Sequence, residues 1–102
     1  MNKVIFTIQY EIKVDKREEY LSSIKELKLL VKADGLENYS VYEVKGKKTN
    51  VFEEVFIFIS KEAFDNFDDG ENERMDILVS KIEDMKLANS THYNTLIELD
   101  LN

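Results

Sequence analysis

The chain has 102 residues, of which 43% are hydrophobic and 34% charged, a globular composition sized for one domain spanning residues 1–102. Its 14 basic and 21 acidic side chains leave a net charge of −7, which makes nucleic acid and anionic lipid poor partners, while the lack of cysteine excludes disulfides, thiolate metal sites and a cysteine nucleophile. No apolar run reaches bilayer-spanning length, and Met1–Phe6 leads straight into an alternating segment without the apolar stretch of a signal peptide, so a cytoplasmic protein is expected.

From Val4 to Val14 the residues alternate, with Val4, Phe6, Ile8, Tyr10, Ile12 and Val14 on one side, which predicts a strand. Asp15 offers an N-cap oxygen and Glu18 completes a capping-box pattern, after which Tyr20, Ile24, Leu27 and Val31 recur at helical spacing up to a closing Gly35. Residues 39–45 and 51–59 read as two strands of a hairpin about the polar turn 46–50. Ser60 is the expected N-cap of a short helix through Phe67, and Gly70 separates it from a longer helix with Met75, Leu78, Val79, Ile82 and Met85 on one stripe. After a polar break at 89–91, Tyr93, Thr95, Ile97, Leu99 and Leu101 alternate as a last strand.

The order strand, helix, strand, strand, helix, strand predicts an α+β, ferredoxin-like βαββαβ domain: an antiparallel sheet with its helices on one face. In the 51–59 strand, Val51, Val55, Ile57 and Ile59 share one side while Phe52, Phe56 and Phe58 share the other. Two apolar faces need two covers, and the second is expected to come from another copy of the chain, giving a homodimer through the sheet.

Residues 65–76 resemble a calcium loop, with Asp65, Asp69, Gly70 and Asp76 in suitable places, but Phe67 stands where a ligand oxygen is required. A solvated acidic loop is the better reading, and no metal is expected. His92 is the single histidine and lies beside polar residues, which suits an exposed side chain better than a catalytic one. Phe52, Phe56, Phe58, Phe64 and Phe67 form the densest aromatic group, and alternation puts Glu54 on the same face as the first three. Tyr10 shares the apolar face of the first strand. If both faces lie under the helices, a carboxylate and a phenol converge in an apolar space suited to a small aromatic ligand. In the rival reading Glu54 sits near an edge and is solvated; the pattern leans slightly to the second.

The run Phe58-Ile59-Ser60-Lys61-Glu62-Ala63-Phe64, after an apolar strand and a polar hairpin turn, resembles the antibiotic-biosynthesis-monooxygenase-like family of dimeric α/β barrels. The resemblance covers nearly the whole chain. It implies a cofactor-independent monooxygenase acting on a small aromatic or quinol-type molecule; in such a reaction the face assignment makes Glu54 or Tyr10 the catalytic proton carrier and puts Phe52, Phe56, Phe58 and Phe67 around the ligand. No cofactor is expected in that reading. The family's strand-end tryptophan falls on Phe58, and a histidine common nine residues later falls on Phe67. These departures keep two alternatives open: a non-catalytic dimeric small-molecule-binding or stress-response protein, and a haem-binding or haem-degrading relative using His92.

Overall fold

The computed structural model of the protein describes residues 2–67 and 72–101. Strand β1 spans Val4–Glu11, helix α1 Arg17–Leu30, strands β2 and β3 Leu36–Glu43 and Val51–Phe58, helices α2 and α3 Lys61–Asp65 and Glu73–Met85, and strand β4 His92–Ile97. The strands form one antiparallel sheet in the order β2-β3-β1-β4, so that β1 and β3 occupy its centre. This is the ferredoxin-like α+β arrangement expected from the element order. Among the described residues no helix is long and apolar enough to cross a membrane.

The strand register explains which side chains go inward. Tyr10 faces Phe52 across the β1–β3 ladder and Tyr39 faces Phe56 across the β2–β3 ladder, so these positions share one face. That face is roofed by α1 and α3, whose Tyr20, Ile24, Leu27, Leu78 and Ile82 are all buried at helical spacing. Phe58 is 0% exposed and packs against the rings of Phe64 and Phe67 at 5.4 and 5.1 Å between centroids. Burying such a side chain stabilises the fold by about 1.5–3 kcal/mol. The opposite sheet face carries the partly covered Ile5, Val55 and Ile57 and the exposed Leu96.

Several element boundaries differ from the pattern reading. β1 stops at Glu11, and the chain enters a short 3-10 turn over Val14–Lys16 closed by the Lys16 N–H donating to the Lys13 carbonyl at 2.9 Å. Val14 therefore leaves the apolar row and is 80% exposed. Asp15 lies within that turn and cannot cap α1, whose N-cap is Lys16 without a side-chain hydrogen bond. At the other end α1 closes on the Val31 N–H donating to the Leu27 carbonyl. Gly35 acts later: with φ of +80° it turns the chain into β2, its carbonyl accepts from the Ile59 N–H at 2.9 Å, and a Cβ there would collide with that of Ala63.

β2 begins at Leu36 and ends at Glu43, and β3 ends at Phe58, where α2 is nucleated by the expected Ser60 cap: its Oγ accepts from the Ala63 N–H at 3.1 Å. α2 stops at Asp65 instead of Phe67. Asp69 and Gly70 of the acidic stretch lie outside the described residues, while Asp65 pairs with Lys61 at 2.8 Å. β4 ends at Ile97, leaving Leu99 and Leu101 72% and 84% exposed beyond the strand.

Candidate functional site

Glu54 sits at an inner position of β3, the strand paired on both edges. Its register partners are Ile8 of β1 and Val41 of β2, which leaves the phenols of Tyr10 and Tyr39 diagonally across from it on either side. The Tyr10 hydroxyl donates to Oε2 at 2.8 Å and the Tyr39 hydroxyl donates to Oε1 at 2.6 Å. Because the Tyr10 proton is spent on Glu54, the 2.7 Å contact between the Tyr10 and Tyr20 hydroxyls has Tyr20 as donor. A carboxylate is thus buried to 7% exposure with each oxygen held by a phenol, which offsets the cost of taking it from water. Burial, then the charge of Glu54, pushes the Tyr10 and Tyr39 phenols well above the usual tyrosine range, and burial does the same to Tyr20. All three stay protonated donors at neutral pH.

Glu54 also forms part of the wall of a cavity of about 200 Å³ between sheet and helices. Phe6, Ile8 and Phe56 line it from the sheet, Leu27, Met75 and Ile82 from the helices, and Phe67 follows from the segment after α2. The half-exposed Val79, Glu83 and Tyr93 mark the side on which it meets solvent. The arrangement can hold an apolar body and present one fixed carboxylate to it.

The structure thus brings Tyr10 and Glu54 together and overturns the solvated-edge reading of Glu54, because two strands flank β3 and no edge is near. Phe56 and Phe67 are in the cavity wall. Phe52 and Phe58 are not: at the two ends of the same inner row, Phe52 packs on Tyr20 at 4.5 Å beneath the Arg17 guanidinium, and Phe58 is enclosed by other phenylalanines. Tyr10 is not a wall residue either and reaches the cavity through Glu54. His92, exposed at the start of β4 opposite Gln9, lies outside this cavity.

Tyr20, Tyr39 and Lys86 escaped the sequence reading. Tyr20 looked like an ordinary stripe residue and Tyr39 like a strand start, although both fall on inward positions where a phenol needs a partner. Lys86 follows Ile82 by four residues and so prolongs the apolar stripe of α3. A charged residue in that register was the available signal.

No protein-family profile and no curated protein matches this sequence. Solved structures do match in shape. An antibiotic biosynthesis monooxygenase is 20% identical with full coverage of both chains and a TM-score of 0.66. SnoaB, a cofactor-independent oxygenase from Streptomyces nogalater solved as the N63A mutant, is 9% identical over 92% of this chain and 90% of its own, with a TM-score of 0.68. A dimeric ferredoxin-like protein of unknown function from Thermobifida fusca is 12% identical over 96% and 92%, with a TM-score of 0.65. The chain has the ferredoxin-like fold of the antibiotic-biosynthesis-monooxygenase-like proteins.

Proposed function

We propose that the cavity receives a small aromatic hydroxyl compound of the quinol type and that Glu54 accepts its proton, as the first step of a cofactor-independent monooxygenation. The observation that carries this reading is a buried carboxylate whose two oxygens are held in place by Tyr10 and Tyr39 while it forms part of an otherwise apolar cavity wall. The size agrees: a cavity of about 150 Å³ accommodates benzene, so the volume here suits one substituted ring. Loss of the hydroxyl proton makes the ring more electron-rich and a better reductant of oxygen, while Phe56 and Phe67 keep water from the reacting atoms. Tyr10, with Tyr20 behind it, keeps the carboxylate oriented.

The decisive measurement is oxygen consumption over a panel of quinols. Glu54→Gln is expected to lower kcat by about 100-fold or more with binding retained. Unchanged turnover of a genuine substrate would remove the proton-transfer role. The second reading, a non-catalytic binding protein, is favoured by Phe58 and Phe67 standing where the similar family has tryptophan and histidine. Thermal stabilisation by aromatics without oxygen uptake would select it.

Under either reading the protein functions as a homodimer through the outer sheet face. Ile5, Val55, Ile57 and Leu96 form an apolar surface on the side without helices, and the Thermobifida fusca protein of this fold is described as dimeric. Val55→Asp is expected to turn a dimer into a monomer in sedimentation at micromolar concentration. A wild-type monomer under the same conditions would end the proposal.

A further inference from the structure

Lys86 occupies a position that the proton transfer does not require. The backbone on both sides of it is tied to the end of β1: the Lys13 N–H donates to the Met85 carbonyl at 2.9 Å and the Leu87 N–H donates to the Glu11 carbonyl at 2.8 Å. The side chain starts from this fixed point and is only 8% exposed. Its ammonium lies 4.2 Å from the centroid of the Tyr10 ring and 2.6 Å from Oε1 of Glu83, and both Lys86 and Glu83 belong to the cavity wall. The two partners of the ion pair are unequal. Glu83 is 58% exposed, so its carboxylate can be released to water at little cost, whereas the ammonium has exchanged its hydration for a ring face and one carboxylate.

We propose that Lys86 is the anion-recognition residue of the cavity, and that its ligand is a single-ring aromatic carrying one carboxylate, which replaces Glu83 on the ammonium while the ring lies against Phe6, Ile8 and Phe56. The proposal rests on the reading of the cavity as an aromatic-binding site and narrows its ligand class. The charge on Lys86 stays paired throughout, because the ligand's carboxylate takes the place of Glu83 beside the ammonium while Glu54 is held by its two phenols.

Titration calorimetry with benzoate and its neutral analogue benzyl alcohol tests this on the full chain. The wild type is expected to bind benzoate about 10-fold more tightly than benzyl alcohol, and Lys86→Met, which keeps the aliphatic stem, to erase that preference while benzyl alcohol affinity is retained. Glu83→Gln changes an exposed side chain and removes the competing carboxylate, so it is expected to tighten benzoate several-fold and leave benzyl alcohol unchanged. A purely structural lysine would not produce that gain. Binding of benzyl alcohol with no benzoate preference, or a preference that survives Lys86→Met, overturns the role of Lys86 and leaves the cavity reading standing. Absence of binding by both ligands and by phenol overturns the cavity reading, and this proposal with it.

Discussion

β3 and β4 are both strands with apolar side chains on either face, yet their surroundings are opposite. Phe52, Glu54, Phe56 and Phe58, at every second position of β3, are buried, while all six residues of β4 are exposed. The cause is place in the sheet. β3 is hydrogen-bonded on both edges and lies beneath the helices, whereas among the described residues β4 pairs only with β1 at the rim, where Tyr93 reaches the core side by stacking on Phe6 at 6.1 Å. Period-two spacing identifies a strand; only the order of strands decides whether its side chains meet protein or solvent.

Truncation should separate the two strands most strongly. Phe58→Ala is expected to cost about 3–5 kcal/mol in chemical denaturation, since it removes a fully enclosed ring. Next comes the polar centre of β3. Glu54→Leu leaves the Tyr10 and Tyr39 hydroxyls buried without their acceptor, a loss of about 1–3 kcal/mol by the same measurement. If Glu54→Leu proves neutral, water must already reach the network.

The phenols around Glu54 also predict a pH response that β4 cannot produce. Their folded pKa values lie above the ordinary 10.0, so the unfolded chain releases these protons first. The stabilisation is therefore fully present below pH 10 and is lost as pH rises beyond it, at up to about 1.4 kcal/mol per pH unit for each tyrosine. Exposed ion pairs that contain a lysine, such as Lys3 with Glu37, titrate in alkali as well, so the comparison is with Tyr39→Phe, whose stability should fall less steeply above pH 10 than that of the wild type. An equal slope in both proteins would show that the Tyr39 phenol ionises normally. The smallest effect belongs to the tail past β4: Leu99→Ala should change stability by less than about 0.5 kcal/mol, and a core-sized loss would mean that a second chain covers it.

The sequence patterns revealed the fold through β1, the α1 stripe of Tyr20, Ile24 and Leu27, and the Ser60 cap, because each is a local periodicity or a local hydrogen bond. They misassigned Asp15 and Gly35, since a capping residue's role depends on where the neighbouring element stops, which the 3-10 turn and the β2 entry decide. The site was half legible. Alternation put Glu54 and the phenylalanines on one face, but the pairing of Tyr10 and Tyr39 with Glu54 requires the β1–β3 and β2–β3 registers together. Lys86 was hidden because a lysine after a helix ordinarily reads as solvated surface.

The end of β1 joins parts of the chain that are far apart in sequence. Ile12 N–H donates to the Asn50 carbonyl, Lys13 N–H to Met85 and Leu87 N–H to Glu11, so the hairpin turn, the first strand and the segment after α3 converge on a few peptide groups. None of these bonds can form until the chain has closed loops of dozens of residues, and none can open alone without disturbing the others. The amide protons of Ile12, Lys13 and Leu87 should therefore exchange with deuterium only through cooperative opening, far more slowly than those of β4, and this corner is among the last parts of the molecule to yield.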